Sequence, residues 1–148
     1  MDSRSTRTYN GKGHVLSDES EEDGSISRTA WAYEYDNSGN MLTLTRYYGE
    51  VGGVIRGREL FTYDDNGNQL TVVAVSYLGG EEGFRTSYTY TYDSNGNRLT
   101  EEHDYDTDGT VDQRTTYTYD GDNNLLSREV KNAEGRVTSR SVYVWTCN

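Results

Sequence analysis

An all-β fold is predicted here: an antiparallel up-and-down meander of about ten or eleven strands, built from five hairpin repeats. Three observations predict it. The motif Tyr-Asp-x-x-Gly-Asn, with Leu two residues further on, returns about every 28 residues. Tyrosine and threonine alternate with period two ahead of the motif, as in Thr86-Ser87-Tyr88-Thr89-Tyr90-Thr91-Tyr92. Third, x-Gly pairs fall between the motifs, where tight hairpins are expected.

The full copies are Tyr35-Asp36-Asn37-Ser38-Gly39-Asn40-Met41-Leu42, Tyr63-Asp64-Asp65-Asn66-Gly67-Asn68-Gln69-Leu70 and Tyr92-Asp93-Ser94-Asn95-Gly96-Asn97-Arg98-Leu99. Degenerate copies begin at Tyr9 and Tyr119, and the single repeat domain over residues 1–148 divides at about 7–32, 33–60, 61–89, 90–116 and 117–146. Within a repeat, the alternating Tyr and Thr residues have high β propensity and form the entering strand. Asp93-Ser94-Asn95-Gly96 then reverses the chain, with Asp capping the turn and Gly96 at a positive φ. Asn123 takes the glycine position in the last copy, as the residue next best suited to that conformation. A second strand follows from Arg98 to about Asp106. The second turn is expected at Asp108-Gly109, and in the other repeats at Asp23-Gly24, Gly52-Gly53, Glu82-Gly83 and Glu134-Gly135. The chain has no proline, which suits strands that must all donate to a ladder.

Parity places Tyr33/Tyr35, Phe61/Tyr63, Tyr88/Tyr90/Tyr92, Tyr117/Tyr119 and Tyr143/Trp145 on one face, with Leu16, Leu42, Leu70, Leu99 and Leu126. The middle of that face is polar, with Arg46, Ala74, Ser76, Glu101, His103 and Arg128. Threonines and Glu102 and Glu129 occupy the other. Such a meander either closes into a β-barrel, which removes its edges, or curls as an open spiralling sheet with exposed edges. Closure is the favoured expectation.

Composition narrows the function classes. The net charge of −11 and pI near 4.5 exclude the basic footprint that nucleic-acid binding requires. No stretch is long and apolar enough for membrane insertion as a helix. Hydrophobic residues make up 32% and mean hydropathy is −0.96, but fourteen tyrosines in strict alternation argue for a folded sheet rather than disorder. The lone Cys147 cannot form an internal disulfide and reads as a small residue closing the last strand. Met1-Asp2-Ser3-Arg4-Ser5 is not a signal peptide, so an export signal is expected outside this sequence.

Two groups of residues are candidates for chemistry. Asp104, Asp106, Asp108 and Asp112 match the start of a calcium loop, D-x-D-x-D-G-x-x-D, although Thr115 stands where a bidentate Glu would complete it. The competing reading is an acidic hairpin turn. Calcium is the one cofactor the sequence points to. Arg46, Glu101, His103 and Arg128 share the inward parity and could hold a ligand, with Glu101 and His103 as an acid/base pair and the arginines facing an anion. The competing reading is a polar interior in which each charge is neutralised by a neighbour. No Ser/His/Asp set, Cys-His metal spacing or phosphate loop is present.

The string Tyr90-Thr91-Tyr92-Asp93-Ser94-Asn95-Gly96-Asn97-Arg98-Leu99-Thr100 resembles the YD repeats of bacterial RHS proteins and teneurins. The likeness extends over almost the whole chain. In that family the repeats build a spiralling β-sheet that forms a hollow shell on secreted or cell-surface proteins. The interval here is longer, the repeats are too few to enclose a protein, and no autoproteolytic core motif is present. What the resemblance implies is secreted β-architecture. The expected function is therefore a non-catalytic, extracellular or surface-associated binding or adhesion module with a protein, glycan or small-molecule ligand. The alternative is a small barrel holding a small molecule in a tyrosine-lined cavity, with an enzyme using that cavity as its further variant.

Overall fold

A computed structural model describes residues 3–22 and 29–145. They form one antiparallel sheet of eleven strands: β1 Ser3–Tyr9, β2 Val15–Glu22, β3 Thr29–Tyr35, β4 Met41–Tyr48, β5 Val54–Tyr63, β6 Gln69–Leu78, β7 Glu81–Tyr92, β8 Arg98–Asp104, β9 Gln113–Tyr119, β10 Leu125–Asn132 and β11 Val137–Val142. Spatial order equals chain order, as short connections between sequential strands dictate. No helix is present among the described residues.

The expected barrel closure does not occur. β1 and β11 each pair only with their inner neighbour, so the sheet is open. Closure requires inward side chains that fill an interior. The tyrosine rows here stay partly exposed, and among the described residues only Ala30, Val75, Val130, Thr45 and Thr115 are buried. An open sheet has no lumen, so the polar residues of the tyrosine face line a surface instead.

Two compact units are distinguished. One comprises residues 1–62 and 73–85, the other residues 63–72 and 86–148. In the first, Ala30 and Thr45 are buried on the face opposite the tyrosines, and Ala32 lies directly across from Thr45. In the second, a row runs straight across the strands on the tyrosine face: Tyr90, Glu101, Thr115, Val130, Ser139. Its third and fourth members, Thr115 and Val130, are buried.

The motif turns share one hydrogen-bonding scheme. In the Asp93 turn, Asp93 N donates to Asn97 O at 2.9 Å and Gly96 N donates to Asp93 O at 3.1 Å. Asp93 Oδ1 accepts from Asn95 N and Asn97 N, and Oδ2 accepts from Asn97 Nδ2. Gly96 has φ +83°, and Asn123 takes the same position at φ +65°. The Asp36, Asp64 and Asp120 turns repeat the bidentate clamp between Asp and Asn. These bonds favour the ionised carboxylate, so all four aspartates are held below their ordinary pKa, with the Asn side chain as the largest cause.

After the Asn10, Asp36, Asp93 and Asp120 turns the ladder slips by one residue. Tyr92 faces Arg98 while Thr91 faces Thr100, leaving Leu99 as the extra residue of a bulge. Leu16, Leu42 and Leu126 occupy the same place, and all four leucines are more than a third exposed. The bulge frees a carbonyl, which a residue of the next repeat satisfies. Tyr92 OH donates to Gln69 O at 2.8 Å and Tyr119 OH donates to Arg98 O at 3.0 Å. Trp145 Nε1 donates to Leu125 O at 2.8 Å, an indole doing what a phenol does elsewhere.

The second turns require one correction. Gly52-Gly53 and Glu134-Gly135 lie in turns as expected, closed by Gly53 N donating to Glu50 O and Gly135 N donating to Asn132 O. Asp108-Gly109 also lies in a connection, between β8 and β9. Glu82-Gly83, however, is inside β7; the reversal is at Gly79-Gly80, with φ +62° and +91°. A two-residue hairpin loop of this kind needs positive φ at both positions, and only the Gly-Gly pair meets that at no steric cost. Asp23-Gly24 and Cys147 lie outside the described residues.

Candidate functional site

Register fixes which candidates share a face. On the second unit Tyr88 lies opposite His103 and Tyr90 opposite Glu101. Arg128 lies opposite Tyr117 and Ser141. Glu101, His103 and Arg128 therefore do belong to the tyrosine face. Arg46 belongs to the first unit, where it faces Trp31 on β3 and Gly57 on β5.

Glu101 and His103 are not assembled as an acid/base pair. Glu101 Oε2 accepts from Arg98 Nη1 at 3.0 Å and from Tyr117 OH at 3.3 Å. The Arg98 guanidinium also sits 4.3 Å from the centre of the Tyr90 ring. His103 has a different set of partners. Its ring stacks on Tyr88 with centroids 3.9 Å apart and meets Tyr105 at the same distance, tilted. Thr86 Oγ1 lies 2.7 Å from His103 Nε2 and donates its proton to Asp104 O at 3.0 Å. A hydroxyl that has given its proton to a carbonyl accepts from the ring, so Nε2 carries hydrogen. Burial lowers the His103 pKa, against the opposing pull of Asp112, Glu101 and Asp104. Desolvation also raises the Tyr90 phenol, reinforced by Glu101.

The acidic loop between β8 and β9 is built from its own backbone. Asp104, Asp106 and Asp108 each bring a carboxylate oxygen to within 4.8 Å of the others. Each also accepts a backbone hydrogen bond: Asp104 Oδ2 from Gly109 N, Asp106 Oδ1 from Asp108 N, and Asp108 Oδ1 from Thr110 N. Asp112 is not part of this group; its Oδ2 accepts from Tyr105 N at 2.7 Å and fastens the loop base. Thr107 is held at φ +56°, a conformation uncommon outside glycine, with its hydroxyl donating to Asp106 O. Asp104 Oδ1 is buried and accepts from no described group. An orphaned carboxylate oxygen is costly, and a hard cation bound by oxygens would satisfy it.

A cavity of about 180 Å³ lies on the first unit, lined by Ala32, Glu34, Thr43, Thr45, Tyr47 and Arg58. It is on the face opposite Tyr33 and Tyr35, and none of the four candidate ligand residues lines it. Sequence reading missed it because its floor depends on Ala32 and Thr45 being adjacent, which only the register shows. It also missed the Asn side-chain clamp, although an Asn fixed four residues after each Asp was a visible signal.

Residues 92–137 match the family model described as RHS Repeat. Among solved structures, the chain is similar to the crystal structure of TcdB2-TccC3-TEV, at 13% identity and a TM-score of 0.56. That match covers 97% of this chain and 11% of the other, so the chain spans a small part of that protein's length. A protein of unknown function from Bacteroides fragilis NCTC 9343 matches at 11% identity over 96% of this chain and 92% of that one. Its TM-score of 0.27 carries no structural argument. No match was found among curated proteins.

Proposed function

We propose that this chain of YD-type RHS repeats is a non-catalytic β-repeat module, displayed outside the cell or on its surface, that binds a protein or glycan through its tyrosine face. The observation that carries this reading is how the recurring residues of the repeat are used. Asp, Gly and Asn close turns, Tyr92 and Tyr119 satisfy bulge carbonyls, and Glu101 and His103 have separate structural partners. What remains is a sheet surface with half-exposed aromatic rings, including Tyr105 at 44% exposure beside His103, and Arg128 two strands away. Aromatic rings and arginine are the side chains most often responsible for binding energy at protein surfaces.

Protease treatment of intact cells from the source organism tests the setting: the chain is digested without lysis if the reading holds. Protection until lysis refutes surface display. Retention of the purified chain on those cells tests binding. The double variant Tyr105→Ala, Arg128→Ala is expected to lose most of that retention, and equal retention refutes the tyrosine face as the contact surface.

A second reading concerns the loop of Asp104, Asp106 and Asp108, favoured by the buried Asp104 Oδ1. These residues would hold calcium and thereby fix the β8–β9 connection. A ligand that binds only the folded chain raises its stability, by about 2.7 kcal/mol at a hundredfold excess over Kd. Melting in millimolar calcium and in chelator should differ in the wild type and not in Asp104→Asn. An identical melting temperature in the two wild-type samples removes the site.

A further inference from the structure

Three Asn-Gly steps occur in this chain: Asn10-Gly11, Asn66-Gly67 and Asn95-Gly96. Asn-Gly is the dipeptide in which a backbone nitrogen most easily reaches the preceding side-chain amide, because glycine has no Cβ in the way. The three steps occupy two different places in the same turn. Asn66 and Asn95 are third in their turns, and the glycine that follows has its N–H committed: Gly67 N donates to Asp64 O at 3.0 Å and Gly96 N donates to Asp93 O at 3.1 Å. Asn10 is first in its turn, in the place of the motif Asp. The closing bond there comes from Gly13 N to Asn10 O at 3.0 Å, and Gly11 N donates to no described group.

The surroundings of the Asn10 amide differ as well. Its Oδ1 accepts from two backbone donors, Lys12 N and His14 N, each at 2.9 Å. Two N–H groups aimed at one carbonyl oxygen stabilise negative charge developing there, as an oxyanion hole does. Its Nδ2 lies 3.5 Å from His14 Nδ1. His14 replaces the Asn of the other copies, so nucleophile, oxyanion donors and a proton carrier meet only in the first turn.

We infer that Asn10 is a self-modifying site that deamidates in the folded protein, with Gly11 N as nucleophile and His14 as proton donor to the departing amine. Gly11 N bonds to Asn10 Cγ and its proton passes to solvent. Attack makes the amide nitrogen tetrahedral and basic. His14 Nδ1, which accepts from the planar amide beforehand, takes a proton from solvent and passes it to that nitrogen, the Cγ–Nδ2 bond breaks, and ammonia leaves. Water then opens the cyclic imide, at Cγ to give aspartate or at the main-chain carbonyl to give isoaspartate. The sum is amide plus water to carboxylic acid plus ammonia, with no change of oxidation state. The aspartate product suits the place it forms in. Asp64 Oδ1 accepts from Asn66 N at 2.9 Å and Asn68 N at 2.8 Å, the arrangement Asn10 Oδ1 already has with Lys12 and His14.

Peptide mapping by mass spectrometry, during incubation of the full chain at neutral pH, tests this. In the native protein Asn10 should convert at least about tenfold faster than Asn66 or Asn95, whose turns must open first. In guanidinium the three rates should converge to within roughly twofold, because the turn no longer distinguishes them. His14→Asn restores the residue used in the other turns, and it should slow Asn10 several-fold without altering Asn66 or Asn95. Native-state conversion of Asn66 or Asn95 at the pace of Asn10 overturns the inference, as does an Asn10 rate no faster in the folded chain than in denaturant. An unchanged Asn10 rate in His14→Asn overturns the part assigned to histidine.

Discussion

Replacing Tyr119 with phenylalanine removes one oxygen and nothing else, and the structure indicates what that oxygen does. It donates to Arg98 O at 3.0 Å, a carbonyl of the residue that opens the bulge after Asn97. A net intramolecular hydrogen bond contributes about 1 kcal/mol, and a partly buried acceptor left without a partner brings the loss to about 1–2 kcal/mol. For a chain of this size that corresponds to a fall in Tm of roughly 2–4 °C per kcal/mol. Urea denaturation should show a lower midpoint with an unchanged slope, since the exposed surface on unfolding is the same. Tyr92→Phe, which loses its bond to Gln69 O, should match it. Tyr48→Phe is the control: that ring is 52% exposed beneath Arg56, and its substitution should stay within about 0.5 kcal/mol. If Tyr119→Phe and Tyr92→Phe are as stable as Tyr48→Phe, the phenol-to-carbonyl bonds do not hold neighbouring repeats together.

Glycine substitutions should divide by position. Gly96→Ala, at φ +83°, should cost about 1–2 kcal/mol, whereas Gly121→Ala, at ordinary φ with no atom within 4 Å of a new Cβ, should be neutral or stabilising by up to about 1 kcal/mol; equal effects in urea melts refute the turn assignment. Acid should destabilise the fold. Asp36, Asp64, Asp93 and Asp120 have folded pKa values below 3.8, and His103 lies below 6.5, so their contributions are complete above those values and are lost as pH falls through the folded ones. Alkali should do the same from the other side, because Tyr33, Tyr90 and Tyr119 keep their protons above 10 when folded, and that contribution vanishes as pH rises through the folded values. A melting temperature flat from pH 3 to 11 would be inconsistent with both shifts.

Local chemistry was the legible part of this sequence. Gly96 and its equivalents mark turns because positive φ is a property of one residue, and the alternation from Thr86 to Tyr92 marks a strand because period two is local. The same parity put Glu101, His103 and Arg128 on the tyrosine face correctly. Legibility failed where the answer depended on two segments at once. The β6–β7 turn is an exception: Gly79-Gly80 is the better local signal, because both loop positions need positive φ, and the regular run of x-Gly pairs draws the reading to Glu82-Gly83 instead. Barrel closure depends on whether β1 meets β11, which no residue in either strand encodes. The partners of Glu101 come from Arg98, three residues away, and Tyr117, on the next strand, so the notion of a free acid/base pair could not survive the register.

The indole of Trp145 takes the place of a sixth motif tyrosine, reaching back to Leu125 O just as Tyr119 reaches back to Arg98 O. Each such link ties a repeat to the repeat before it and to nothing further along. Mechanical load applied through the C-terminal end would therefore reach the fastenings in series rather than in parallel. Force spectroscopy should show a staircase of releases, each about one repeat long, with the tryptophan link parting before the tyrosine links behind it.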